Sequence, residues 1–182
     1  MWGHVKVSIG NICEITRGRV MSKDYIRDNE GNYPVYSSQT ENNGELGKIK
    51  IYDFDGEYVT WTTDGANAGS VFYRNGKFSV TNVCGLLKLK SEELISHKYL
   101  YYILSQEAKK YVNSGMGNPK LMNNVMERIT ISIPTLEKQT SIVNTLDKLN
   151  TLCNDLTSGL PAEIEARKKQ YEYYRDKLLS FD

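Results

Sequence analysis

Short apolar and polar segments divided by turn residues fill the first half of the chain. Several of them alternate between apolar and polar positions, which is typical of β-strands, and Gly, Asn and Asp separate them. These segments are Val5–Ile9, Tyr33–Tyr36, Lys48–Tyr52, Glu57–Thr62, Ser70–Tyr73, Lys77–Val80 and Val83–Leu89. The Asn75-Gly76 pair predicts a type I′ hairpin, because both central positions of that turn need positive φ. The first half is therefore predicted to be β-rich.

Beyond Ser91 the apolar residues recur three and four positions apart, which predicts a helix. Ser96 is suited to cap its start and Gly115 to end it, and the helix is expected to cover the sheet. Its apolar positions are Leu100, Ile103, Leu104, Ala108, Tyr111 and Val112. A polar loop over residues 114–120 and an alternating strand, Ile129–Ile133, follow before Pro134.

Two further helices are predicted after Pro134. The first is capped by Thr135 and carries a heptad stripe of Ile142, Leu146, Leu149, Cys153 and Leu156. Gly159 and Pro161 separate it from the second, which runs to about Phe181. The stripe of the second helix consists of Ile164, Tyr171, Tyr174, Leu178 and Phe181. A stripe this narrow predicts packing against another element, and folding back on the chain's own sheet is the alternative.

The composition bounds the function. The 182 residues allow one ordinary domain with an appendage, and 23 Lys+Arg against 22 Asp+Glu give a net charge of +1, so bulk charge does not indicate a nucleic-acid partner. No apolar run approaches the ~18 residues of a membrane-spanning helix. The start of the chain lacks the apolar core of a signal peptide, so a cytoplasmic location without membrane contact is expected.

Residues that could support catalysis or metal binding are sparse. The three cysteines, Cys13, Cys84 and Cys153, are widely spaced and fit reduced, buried thiols better than a disulfide or zinc site. His4 and His97 are the two histidines, which makes a histidine-based metal centre improbable. No phosphate-binding or dinucleotide-binding glycine motif is present. We therefore expect a non-enzyme without a metal or cofactor of its own.

A nuclease is the enzymatic alternative. Glu107-Ala108-Lys109 has the carboxylate-x-lysine pattern with which metal-dependent nucleases hold an ion and a water. It falls on a predicted helix without an obvious aspartate on an adjoining strand, so the prediction is weak.

Side chains suited to reading DNA occur in the predicted loops. Arg and Lys neutralise phosphates or reach guanine edges, and Asn and Gln can form two hydrogen bonds with adenine. The candidates are Arg17, Arg19, Lys23, Ser37, Ser38, Gln39, Thr40, Asn42, Asn43, Thr62, Thr63, Asp64, Asn67, Asn118 and Lys120. Polar residues populate the loops of most proteins, so this pattern alone does not identify a DNA-binding surface.

Longer stretches of the chain resemble one protein family. Ile129–Gln139, continuing through Leu149, and Gly159–Phe181 resemble the strand-proline-helix and the conserved-region helix of specificity (S) subunits of type I restriction-modification systems. The segments that resemble the target-recognition domain of the same subunits are Ile12–Gly18, Tyr33–Val35, Gly65–Gly69 and Gly117–Lys120.

The resemblance implies an α+β fold with two parts. Residues 1–134 would form a β-rich target-recognition domain with a packed helix, and residues 135–182 an antiparallel, coiled-coil-like spacer. A complete S subunit has two recognition domains and this chain has one, so a homodimer would restore the twofold arrangement and read an interrupted palindrome. The dimer and partner interface would include Ile164, Tyr171, Tyr174, Leu178 and Phe181.

The resemblance also implies partners. A DNA methyltransferase (modification) subunit would supply S-adenosylmethionine-dependent adenine methylation, and a restriction/translocase subunit would cleave. The chain itself would select the site on double-stranded DNA without catalysis. The alternatives are a helical interaction scaffold that does not bind DNA, and a fragment or cassette of a longer specificity subunit.

Overall fold

The computed structural model describes residues 4–115, 117–155 and 161–180. The predictions for Leu156, Gly159 and Phe181 lie outside these residues. The bounds of the elements are β1 Val5–Ser8, α1 Ile9–Ile12, β2 Cys13–Arg17, α2 Lys23–Asp28, β3 Glu30–Tyr36, a 3-10 turn Glu41–Gly44, β4 Glu45–Ile49, β5 Phe54–Thr62, β6 Val71–Val80, β7 Cys84–Leu89, α3 His97–Glu107, a 3-10 turn Ala108–Tyr111, α4 Asn123–Met126, β8 Thr130–Ile133, α5 Leu136–Asp155 and α6 Pro161–Leu179. The mixed α+β architecture, with a β-rich part followed by helices, agrees with the predicted fold class.

Most of the strands join one six-stranded sheet in the order β2-β7-β5-β6-β3-β4. Neighbouring strands are antiparallel except β3 and β6, which run parallel with Val35 opposite Ser79. Strands β1 and β8 form a separate antiparallel pair, with Val5 opposite Ile133. The strands nearest in sequence are therefore often not neighbours in space.

The predicted hairpin at Asn75-Gly76 is wrong. Strand β6 continues through both residues and pairs with β5, and Gly76 lies opposite Gly56. The φ angles of Gly76 and Gly56 are +94° and +121°, so the two glycines form an irregularity inside the paired strands. The chain reverses instead between β5 and β6, over residues 63–70.

The main core lies between one face of the sheet and α3. Trp61 and Leu87 of the sheet and Tyr99, Leu100 and Leu104 of the helix are fully buried there. The prediction that this helix covers the sheet is confirmed, and Ser96 caps it by accepting a hydrogen bond of 3.3 Å from the Tyr99 amide. The helix ends at Glu107 rather than near Gly115, because a 3-10 turn tightens the chain over Ala108–Tyr111.

Helix α5 begins at the edge of this core. Thr135 Oγ1 accepts a hydrogen bond of 3.4 Å from the Lys138 amide, as the cap prediction expected. Ile142 and Leu146 are buried in the main core, so the first half of the predicted stripe packs against α3 and the sheet domain. This half of the heptad stripe therefore packs in the chain's own core, where it is not available to a partner.

Helix α6 packs against α5 and returns to the same core, where Leu179 is buried. Tyr171 and Leu178 are half-buried against that core. This corrects the expectation that the whole stripe is free for another element: the helix folds back on its own chain, and of the predicted stripe residues Tyr174 is exposed. The side chain of Ile164 lies outside the description. Among the described residues no helix is long and apolar enough to cross a membrane.

Candidate nucleic-acid interface

The turn between β6 and β7, Thr81–Val83, lies at the centre of the candidate interface. The Thr81 hydroxyl lies 3.3 Å from the Ser37 hydroxyl, and the Thr63 amide donates a hydrogen bond of 3.1 Å to the Val83 carbonyl. The backbones of Arg19 and Thr81 form an isolated parallel β-bridge. One turn thus connects the end of β2, the loop after β3 and the loop after β5, which are distant in the sequence.

Gly18 makes this approach possible. A Cβ atom built on Gly18 would lie 1.7 Å from the carbonyl oxygen of Val80, so a residue with any side chain would clash there and prevent this approach. The backbone of residues 17–19 therefore lies directly on the end of β6. Arg17 and Arg19 are consequently placed beside the turn.

Both arginines are held by neighbouring polar groups. Arg17 Nε donates to Asn123 Oδ1 at 2.8 Å. Arg19 Nε lies 3.1 Å from Asp53 Oδ2, and its guanidinium lies 5.2 Å from the centre of the Tyr25 ring. A hydrogen bond to the Tyr25 hydroxyl and the carboxylate of Asp53 raise the pKa of Arg19. Arg17 and Arg19 are therefore positioned cations, as phosphate or guanine recognition requires.

The loop over residues 37–44 presents amides at its tip. It is closed by a hydrogen bond of 3.0 Å from the Ser37 amide to the Gly44 carbonyl, and Gln39 Nε2 donates to the Glu45 carbonyl. Asn42 and Asn43 are exposed and have φ angles of +48° and +56°. Gln39 therefore stabilises the loop, whereas the side chains of Asn42 and Asn43 are available to a ligand. The remaining candidates of this loop, Ser38 and Thr40, are half-buried and exposed, respectively.

A second polar surface forms where residues 63–70 meet residues 113–121. The Leu121 amide donates to the Thr63 carbonyl at 2.9 Å, and Asp64 and Lys120 form a backbone bridge. The indole Nε1 of Trp61 donates to the Leu121 carbonyl at 2.9 Å, which anchors this segment to the main core. The structure thus brings Asp64, Asn118 and Lys120 together beside a cleft of about 330 Å³, whose lining residues are Asn113, Gly115, Gly117, Asn118 and Lys120.

Three candidates are placed less favourably. Thr62 and Thr63 are fully buried. The Thr62 hydroxyl bonds to the Asn67 carbonyl and accepts from the Ser70 amide at 3.1 Å, and the Thr63 hydroxyl bonds to Asp64 Oδ2 at 2.9 Å. Both threonines thus support the loop that carries the exposed Asn67.

Lys23 is the third. It begins α2 and lines a separate groove of about 420 Å³ with Ile26 and Leu46. It therefore does not join the group around the β6–β7 turn.

Asn82 is a residue that the sequence analysis missed. It is exposed on the β6–β7 turn, between the two loops. An asparagine between two predicted strands indicates a turn, which is the signal that was available. Its place at the centre of the interface depends on the pairing of β3 with β6 and of β5 with β7, which local patterns do not report.

The cysteines and the Glu107-Ala108-Lys109 segment are placed unfavourably for catalysis. Burial raises the pKa of the Cys13 and Cys84 thiols to about 12, so neither is a ready nucleophile. Glu107 forms an ion pair of 2.8 Å with Lys110, and Lys109 is exposed. In the parts of the chain that the structure covers, no group of three or more His, Cys, Asp or Glu side chains is arranged to hold a metal ion.

Comparisons with known proteins agree with the resemblance. Residues 2–166 match the family described as "Type I restriction modification DNA specificity domain". The type I restriction enzyme MpnII specificity subunit of Mycoplasma pneumoniae is 51% identical over 173 residues, which cover 95% of this chain and 52% of that protein.

Two solved structures share the fold. The S subunit of a type I restriction-modification system from M. genitalium matches with a TM-score of 0.72 at 17% identity, covering 86% of this chain and 41% of that one. The HsdS subunit from Thermoanaerobacter tengcongensis matches with a TM-score of 0.65 at 17% identity, covering 97% and 45%. The chain thus spans about half the length of each of these three proteins.

Proposed function

Because the chain belongs to the type I restriction modification DNA specificity domain family, we propose that it selects the DNA sequence on which a type I restriction-modification complex acts. Specificity subunits of these systems are DNA-recognition proteins without catalytic activity. The prediction of a non-enzyme agrees with this family, whereas a scaffold that does not bind DNA is not favoured.

The observation that carries the proposal is the meeting of the two loops and the end of β2 at the β6–β7 turn. Arg17 and Arg19 supply positive charge beside the turn, and Asn82 supplies an exposed amide on it. Asn42 and Asn43 supply further exposed amides at the tip of the loop over residues 37–44, where Asn43 also borders a cleft with Lys98 and Asp147. Cations position a protein on the phosphate backbone, and amides can discriminate adenine in the major groove. The surface therefore has both kinds of group that sequence-specific reading needs.

We propose that residues 1–134 form the reading unit and residues 135–182 the spacer. Helix α5 has 20 residues and is about 30 Å long, close to the ~34 Å that separates half-sites one DNA turn apart. Two copies would pair through the antiparallel helices and read an interrupted palindrome. Among the described side chains of the two helices, the large apolar ones that remain exposed are Leu136, Leu152, Tyr173 and Tyr174.

The partners follow from the same proposal. The methyltransferase subunit, which carries S-adenosylmethionine, and the restriction/translocase subunit would dock on the helices, and the complex would work on DNA in the cytoplasm. The name of the Mycoplasma pneumoniae relative, a restriction enzyme specificity subunit, supports a place in such an assembly.

Co-expression with a cognate methyltransferase subunit tests the proposal. Methylated adenines mapped across the host genome should fall in one interrupted palindrome, and they should be absent when the chain is omitted. Binding of the purified protein to that site should weaken as salt rises, with log K falling linearly against log salt. Methylation that is independent of the chain, or binding that is insensitive to salt, would contradict it.

The dimer is tested separately. Tyr174→Glu should yield a folded monomer by sedimentation, because it places a charge on the exposed side of α6. Gln170→Glu, an exposed substitution on the same helix that adds the same single negative charge, is the control. A Tyr174→Glu protein that stays dimeric would remove this face from the proposed interface.

A further inference from the structure

Arg74 is a buried cation inside the recognition part of the chain. It lies on β6 with 2% of its surface exposed. Its guanidinium carbon lies 3.5 Å from the centre of the Tyr36 ring and 4.6 Å from that of Phe72, and its Nε donates to Thr60 Oγ1 at 3.1 Å. The guanidinium is therefore held between two aromatic rings, with one of its three nitrogens engaged.

The other two nitrogens make no hydrogen bond of acceptable geometry among the described residues, although the Tyr36 hydroxyl lies near enough to interact with the guanidinium. Both Nη1 and Nη2 are buried. Burial lowers the pKa of Arg74, although the nearby Tyr36 and Cys84 act in the opposite direction. Because an arginine stays protonated in proteins, its unpaired buried donors lower the stability of the folded chain.

The unpaired edge of Arg74 faces the loop over residues 37–44. Its Nη2 lies 3.0 Å from the position that a Cβ on Gly44 would take. Gly44 has a φ angle of +80° and adjoins the exposed tip formed by Asn42 and Asn43. The loop that is proposed to read DNA thus covers the free side of a charged, forked donor.

We propose that Arg74 is a concealed DNA contact, which the loop over residues 37–44 uncovers when DNA binds. Its two terminal nitrogens would then donate to a pair of acceptors on the DNA, either two oxygens of a phosphate or the O6/N7 edge of a guanine. The inference rests on the proposed function. It adds a specificity-determining residue that is invisible on the surface of the free protein.

The stacked geometry favours this role over a structural one. A guanidinium that served the fold alone would be expected to use its terminal nitrogens within the fold, since hydrogen bonds to charged groups are among the stronger ones. The Tyr36 and Phe72 rings contact the guanidinium of Arg74 without engaging those nitrogens. The fork is consequently preorganised for an acceptor pair.

The test compares Arg74→Met and Arg74→Lys with the wild-type protein. Methionine is apolar and of similar length, so the free Arg74→Met chain should melt at the same temperature as the wild type or higher, because a buried charge without a full set of partners is removed. Its affinity for the cognate site should fall by roughly tenfold or more. Lysine keeps the charge without the fork and should give an intermediate affinity.

Two further measurements identify the acceptor. Loss of a phosphate contact should reduce the slope of log K against log salt by about 0.9. Loss of a guanine contact should leave that slope unchanged and reduce the preference for the cognate site over unrelated DNA. Arg27→Met is the matched control, because Arg27 is exposed on α2 and paired with Asp24.

The outcomes separate this inference from the function on which it rests. Cognate binding by the wild type, together with wild-type affinity in Arg74→Met, would overturn the inference and leave the function intact. Weaker binding with unchanged slope and unchanged preference would also overturn it, since that is the effect of a displaced loop. Wild-type protein that binds no DNA would overturn both. Should Arg74→Met fail to fold, the same readouts on Arg74→Lys decide the question.

Discussion

The recognition part, residues 1–134, and the hairpin formed by helices α5 and α6 differ in which contacts stabilise them. The sheet domain buries side chains from strands that are distant in sequence, such as Trp61 and Leu87. In the hairpin, Leu146 of α5 is fully buried but Leu152, less than two turns further along, is 48% exposed. The first half of α5 is therefore packed onto the sheet domain. The half of the hairpin beyond Leu146, which includes the exposed Leu152, is the surface available for contact with other molecules.

Polar contacts mark the same division. Gln139 is 1% exposed and ties α5 to the segment before α3: its amide nitrogen donates to the carbonyls of Leu94 and Pro134 at 2.8 and 2.9 Å. Further along α5, Asp147 pairs with Lys98 at 2.5 Å and accepts from the Tyr102 hydroxyl at 2.6 Å. The direction in which the hairpin leaves the reading unit is thus fixed by buried and half-buried groups of α3.

The largest expected effect comes from breaking the buried end of α5. Leu146→Ala should lower the free energy of unfolding by about 2–5 kcal/mol, because it leaves a cavity in the main core. Leu152→Ala, the same change on the same helix at an exposed position, should alter it by less than about 0.5 kcal/mol. Chemical denaturation of both variants measures the difference. Equal losses would show that the division within α5 is misplaced.

A smaller effect is expected from the polar tie at the start of α5. Gln139→Ala leaves the Leu94 and Pro134 carbonyls and the Ser96 amide without this partner, and it should cost about 1–3 kcal/mol. Asn144→Ala, an exposed change on the same helix, is the control. Thermal unfolding checks both, and a Gln139→Ala protein as stable as its control would contradict the role of this residue in fixing the hairpin.

For the helical part, the sequence predicted where the helices begin better than it predicted what they pack against. The caps Ser96 and Thr135 and the break at Pro161 are local signals, and the structure has helices where they indicate. A heptad stripe says that a helix has one apolar face, but it does not say which element covers that face. The chain itself partly covers Tyr171 and Leu178, and their contact with a second copy stays a prediction.

For the β-rich part, the sequence predicted strands but not which strands pair. The Asn75-Gly76 signal was read as a hairpin because a local pattern cannot reveal that Gly56 lies opposite Gly76. For the same reason the sequence supplied candidate residue types for an interface but not their grouping. Thr62 and Thr63 are buried, Lys23 lies elsewhere, and Asn82 was not considered. The grouping depends on strand pairing between residues far apart in the chain.

Binding can be separated from stability within the recognition part. Arg17→Ala and Lys120→Ala should each weaken cognate DNA binding by roughly 1–3 kcal/mol if the residue contacts a guanine edge. Both side chains are outside the cores, so the unfolding free energy should change little. Titration of labelled DNA with each variant measures the loss, and Lys88→Ala, an exposed change on β7, is the control. Full affinity in both variants would place the reading surface elsewhere.

The smallest expected effect is a pH dependence confined to the recognition part, since the chain's two histidines, His4 and His97, both precede the hairpin. Burial lowers the pKa of His97, although Glu92 and Glu57 at 3.5 and 3.8 Å oppose the shift. The unfolded chain therefore binds this proton more readily, so the stability that His97 contributes is present above pH about 6.5 and is lost as the pH falls below it. His97→Gln should flatten the dependence of the melting temperature on pH between about pH 7.5 and 5.5. A wild-type dependence that survives in His97→Gln would assign the titration to another group.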